Sequence, residues 1–205
     1  MRELSKMTMT EERPLASSEA ARRAMIDSQL RPSGVNQPWV LAAMSTVPRE
    51  DFVPEAMRGA AYIDRAIPLG EGRWLAAPLV HGRMLEEAAP RAGERVLLVG
   101  DGDGYLAALL RPAVGALDSI APVAALEAGD GGYDLVIVDG AIEVLPDALA
   151  DRIAASGRIV TGIVSRGITR LAAGRKAAGA VSLLPLAEMG IPVLPEMAAP
   201  QRWSF

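Results

Sequence analysis

The 205-residue chain contains no cysteine, and its one histidine is His81. The first absence excludes disulfide frameworks, thiol nucleophiles and Cys-bound metals; the second excludes any multi-histidine zinc site. Aromatic residues make up only 4%, too few for a base-stacking surface. Lys and Arg number 21 against 25 Asp and Glu, so the net charge of −4 offers no broad attraction to phosphate backbones or anionic lipid. Nucleic acid and membrane are therefore not expected partners. Apolar runs are broken by Gly, Pro or charge well before the roughly 20 residues that span a bilayer. Met1 to Ser18 lacks the apolar stretch of a secretory signal, which makes the cytoplasm the expected compartment.

What is present is aliphatic: half the residues are hydrophobic and 22% are charged, enough for a packed core in one domain of α/β size. Residues 1–18 read as a flexible leader and 19–205 as a single domain, with a helical and connector part over 19–72 and a sheet part over 73–205. Ser18 is an N-cap candidate for a helix running to Leu30, and a second helix follows Pro38 until Val47-Pro48 stops it. Pro48 to Gly72, with three prolines and three glycines, reads as an irregular cover over a site. Beyond it the pattern alternates. Helices are expected at Leu79–Ala89, Tyr105–Leu110 and Pro146–Ala155, the last stopped by Gly157. Parallel strands are expected at Arg95–Val99, Val114–Leu117, Tyr133–Val138 and Arg158–Val164. Val181–Leu186 and Trp203–Phe205 would add antiparallel strands. The pattern is that of a doubly wound, mostly parallel sheet.

Arg95–Val99 runs through Gly100-Asp-Gly-Asp-Gly104 into a helix, the first strand-to-helix turn of such a sheet and a ligand-binding position. The glycines allow either a ligand to approach the backbone or simply a helix to pack tightly on a strand. Asp101 and Asp103 would repel a pyrophosphate, and no Walker lysine follows. The cationic methionyl end of S-adenosylmethionine suits them better than NAD or ATP, although both could also serve as local caps. Asp118, read as the end of the second strand, is placed to hold a ribose, or to act as a turn residue. Asp139 ends the third strand at the same edge, with Gly140 permitting close approach.

Several segments resemble the protein-L-isoaspartate O-methyltransferase family: Asp27–Pro32 with Gly34-Val35, Val40–Met44 with Val47–Pro54, Ala61–Asp64 with Ile67–Gly70, then Arg95–Tyr105 and Tyr133–Pro146. The resemblance implies a fold of the class I S-adenosylmethionine-dependent methyltransferase type with an N-terminal helical extension. It also implies transfer of a methyl group to isoaspartyl carboxylates in damaged proteins, and an acceptor site along Ile67, Pro68, Leu69, Gly70 and Pro78. Trp74 and Ala76 stand where the family has Thr and Ser. Leu98 and Val99 occupy the place of an acidic residue before the glycine turn. Ser119 to Gly132 spans only 14 residues, too few for the strand and helix the family carries there. The sheet edge exposed by that loss would invite pairing with a second copy.

The reaction so implied needs no general base, because a carboxylate is already the nucleophile at neutral pH. No catalytic residue is therefore assigned, nor any chemistry to His81. Met25, Met44, Met57 and Met84 fit helical core positions, and Arg166, Arg170, Arg175 and Lys176 read as a solvated basic face. A non-catalytic binding or assembly relative is the competing reading, suggested by Trp74, Ala76 and the short connection. A nucleotide-dependent oxidoreductase is a weaker one, disfavoured by the two aspartates.

Overall fold

A computed structural model describes residues 15–199. Helix α1 (Leu15–Met25) continues through a wider turn to Leu30, and α2 (Pro38–Thr46) starts with proline at its first position. The helix thus begins inside the segment read as a leader; residues 1–14 and the expected Trp203–Phe205 strand lie outside the described residues. Short 3₁₀ turns at Arg49–Phe52 and Glu55–Ala60 lead to a hairpin of β1 (Ile67–Gly70) and β2 (Arg73–Leu75). Left-handed Gly70 and Gly72 close its turn, the conformation glycine adopts without cost.

The main sheet contains β3 (Arg95–Val99), β4 (Ala116–Ile120), β5 (Tyr133–Ile142), β6 (Ile153–Ser165), β7 (Ile168–Ala177) and β8 (Ala180–Glu188), in the order β4-β3-β5-β6-β7-β8. The first four are parallel; β7 and β8 return antiparallel. Alternation along the central strands fills two cores. Val96 and Leu98 with Leu135 and Ile137 pack beneath α1, α2, α3 (Pro78–Ala88) and α4 (Tyr105–Leu110). Leu97 and Val99 with Val136 and Val138 face Leu149 of α5 (Asp147–Arg152) and Met197. Strands buried on both faces are what the runs Arg95–Val99 and Leu135–Val138 require. The first core joins the N-terminal helices to the sheet without interruption. Met25, Met44 and Met84 lie in it, and the half-buried Met57 packs against it.

Three elements differ from expectation. The second strand begins at Ala116 rather than Val114, because Gly115 is wedged against the Ala92 and Glu94 carbonyls and bonds the latter. Helix α5 ends at Arg152, and Gly157, expected to stop it, sits inside β6, where a Cβ would meet the Tyr133 carbonyl. Strand β7 replaces the supposed basic face: Arg170 pairs with Glu188 across to β8, and the Lys176 ammonium donates to the Ala150 and Ile153 carbonyls at the end of α5. The β4–β5 connection contains only a 3₁₀ turn at Pro122–Leu126, leaving β4 at the edge. Arg152, nearly buried, holds that turn by donating to the Ala124 and Glu127 carbonyls at 2.9 and 3.0 Å.

Candidate active site at the carboxyl edge of the sheet

The parallel register sets Val99 beside Val138, so Gly100, just past the end of β3, lies beside Asp139, which does not end its strand as expected but sits inside β5 where that strand runs on past the β3 pairing to Ile142. A Cβ on Gly100 would lie 3.1 Å from the Asp139 Cβ, and one on Gly102 would collide with the Ser119 hydroxyl of β4. Neither glycine, nor Gly104, has a positive φ. Their role is close approach rather than an unusual turn. Asp101 Oδ1 accepts the Asp103 N–H at 3.0 Å, and the Asp101 carbonyl accepts the Gly104 N–H, so Asp101 shapes the loop and does not cap α4. Its other oxygen faces Arg73 of the β1–β2 hairpin at 3.9 Å, which brings the hairpin over the glycine turn. Asp103 is fully exposed, 3.9 Å from Arg111.

Asp118 is not at the strand end. It lies mid-strand opposite Leu97, and neither Ile120, which ends β4, nor Ala121 beyond it carries a carboxylate. Asp118 Oδ2 instead accepts from Arg95 Nη2 and the Tyr133 hydroxyl, both at 2.9 Å, at the opposite end of the sheet. Those two donors hold its carboxyl below the usual range. The polar side chain of β4 that approaches the glycine turn is Ser119. Gly140 is corrected in the same way: the space beside it is filled by Leu194 of the same chain, and Ala141 exchanges backbone hydrogen bonds with Pro192 and Leu194.

Asp139 is joined to a buried polar chain that sequence reasoning missed. His81, wholly buried on α3, places Nε2 2.9 Å from Asp139 Oδ1 and Nδ1 3.4 Å from Arg49 Nη1. Arg49 is itself fully buried. Its Nε donates to the Ala61 carbonyl at 2.7 Å, its Nη2 to the Ala76 carbonyl, and its guanidinium lies 5.0 Å from the centre of the Tyr105 ring. Burial lowers the Arg49 pKa to about 10 despite the neighbouring Tyr105 and Asp139, and burial likewise raises that of Tyr105. No sequence signal set Arg49 apart, since the same connector also carries Arg58 and Arg65 among several acids. Nothing local tied it to His81, 32 positions on.

The expected acceptor residues lie on β1 and at the first position of α3. Ile67 and Pro78 are buried, Leu69 is half-buried, and Pro68 and Gly70 are exposed on the hairpin. Trp74 pairs with Pro68 and is about half exposed. Ala76 is buried, with only its carbonyl engaged by Arg49. Among the described residues, no group of His, Asp and Glu could hold a metal ion.

The chain as a whole is similar to known proteins. Residues 20–128 match the family model described as protein-L-isoaspartate(D-aspartate) O-methyltransferase. The chain belongs to this family. Protein-L-isoaspartate O-methyltransferase 1 of Rhodopseudomonas palustris is 35% identical over 167 residues, covering 69% of this chain and 68% of that protein. The Methanoculleus marisnigri protein-L-isoaspartate O-methyltransferase is 32% identical over 191 residues, covering 80% and 87%. Among solved structures, a protein-L-isoaspartate O-methyltransferase superposes with a TM-score of 0.71 at 15% identity, over 88% of this chain and 67% of that one. A putative Plasmodium falciparum member, solved with S-adenosyl-L-homocysteine, gives 0.69 at 17% identity over 87% and 98%. The family's fold, a mostly parallel α/β sheet, is thus the fold of this chain. No helix among its described residues is long and apolar enough to cross a membrane.

Proposed function

We propose that this family member transfers a methyl group from S-adenosylmethionine to isoaspartyl carboxylates in damaged proteins. The observation that carries the reading is the pairing of the Gly100–Gly104 turn with Asp139 at the carboxyl edge of the sheet. The alternate glycines of the turn let a ligand lie against the backbone, and Asp101 and Asp139 suit a cation. When bound, S-adenosylmethionine supplies an electrophilic methyl group on a sulfonium. The acceptor carboxylate attacks as it stands, so the chain need not remove a proton. Its contribution is alignment: the turn and Asp139 hold the donor, while Ile67–Gly70 and Pro78 line the acceptor's approach. Holding reactants in line supplies up to about 7–11 kcal/mol of the barrier reduction in well-oriented systems.

Asp118 takes no part in this reading, because Arg95 and Tyr133 occupy it away from the turn. Incubation with methyl-labelled S-adenosylmethionine and an isoaspartyl peptide should produce a base-labile methyl ester. Absence of label at saturating donor contradicts the activity. The short β4–β5 connection and Ala76 favour, as a second reading, a member that binds without transferring; donor-product binding with no ester would select it. The open edge of β4 is where a second copy would pair, and sedimentation at rising concentration tests that.

A further inference from the structure

We infer that Arg49 and His81 are positioning residues that orient Asp139 toward the ammonium of the donor's methionyl group. The inference rests on donor binding at the Gly100–Gly104 turn. A guanidinium has only donors to offer, so the His81 Nδ1 that faces Arg49 Nη1 at 3.4 Å presents its lone pair. The ring proton therefore sits on Nε2, directed at Asp139 Oδ1 2.9 Å away. This tautomer follows from the heavy-atom geometry of the two contacts.

Arg49 cannot swing away, because the Ala61 and Ala76 carbonyls hold two other corners of its fork. The chain thus runs from a fixed interior cation through a fixed imidazole to a partly exposed carboxylate at the carboxyl edge of the sheet. His81 engages one oxygen of Asp139. Among the described residues no other donor bonds that side chain, which remains 17% exposed. That oxygen belongs to a carboxylate set against the glycine turn, the Asp139 Cβ lying 3.1 Å from where a Cβ on Gly100 would stand. A fixed carboxylate with one unused oxygen is complementary to an ammonium, and a charge-assisted bond there needs no reorganisation on binding. An apolar side chain at position 81 could fill the volume but could not aim the acid.

The test uses calorimetry on the full chain with two probes: S-adenosylhomocysteine, which carries the amino-acid end, and 5′-methylthioadenosine, which lacks it. Loss of one charge-assisted bond predicts that His81→Leu weakens S-adenosylhomocysteine binding by about tenfold or more while methylthioadenosine changes less than about twofold. His81→Gln should restore most of the loss, since its amide can accept from Arg49 and donate to Asp139 in the same polarity. Asp139→Asn, which keeps an acceptor for His81, should show the same selective loss, and it decides the matter if His81→Leu does not fold. Equal losses for both probes, or no loss in a folded variant, overturn the inference and leave the donor site standing. Failure of the unaltered chain to bind either probe overturns the donor site itself and this inference with it.

Discussion

The two ends of the sheet handle charge in opposite ways. At the amino end, Asp118 is taken up by Arg95 and Tyr133, and Glu94 by both Nη atoms of Arg158, which also bonds the Ala88 and Ala89 carbonyls. At the carboxyl end Asp139 spends one oxygen on His81, Asp101 faces Arg73 only at 3.9 Å, and Asp103 is in solvent. The first set is saturated and holds strands and helix ends together. The second keeps acceptor capacity at a turn built on alternate glycines. The lesson is that an aspartate's place along its strand, and the number of donors already on it, decide whether it can serve a ligand.

The comparison breaks most visibly at Arg49. Replacing it with Met strips partners from two buried carbonyls and from His81 beneath the carboxyl end, and should cost about 3–5 kcal/mol in denaturant unfolding, the range for breaking a buried charged network. A smaller effect is expected at the amino end from Arg158→Met, about 1–3 kcal/mol for hydrogen bonds to a charged group. It should also alter the acid limb. The Arg158 hydrogen bonds hold Glu94 below its ordinary value of 4.5, so the pair's stabilisation is complete above that pH and is lost as pH falls through the lower folded value. The free energy of unfolding measured from pH 6 downward should therefore decline in the parent and decline less in the variant, with no change in donor-product affinity at neutral pH.

Gly102→Ala sharpens the contrast from the other side. Its Cβ would meet Ser119, so S-adenosylhomocysteine affinity should fall about tenfold, a loss near 1.4 kcal/mol, with Ser119→Gly in the same chain recovering part of it. The smallest effect belongs to Asp118→Asn. That side chain is 48% exposed, so removing its charge should cost under about 1 kcal/mol of stability and leave ligand affinity unchanged. A marked loss of affinity there would return Asp118 to the binding site.

The central strands and the glycine turn were legible because uninterrupted Leu and Val runs admit one arrangement in a sheet covered on both faces. Asp139 was legible for the same reason, following Leu135–Val138 directly. Asp118 was misjudged by a shift of register: Val114-Gly115 reads as the start of a strand, yet Gly115 is held outside it by the Ala92 and Glu94 carbonyls. Strand β7 was missed because its small and basic residues show no alternation. His81 and Arg49 were illegible for a deeper reason. Their contacts reach across 32 and 58 positions, and α3 is buried on so many sides that its histidine stands out from no pattern.

The most direct test is a crystal structure of the full chain with S-adenosylhomocysteine. The sulfur should lie over Gly100–Gly104 and the ammonium on the free oxygen of Asp139, with Asp118 still bonded to Arg95 and Tyr133. A ligand seated elsewhere, or an ammonium held by other groups while Asp139 points away, would contradict the account.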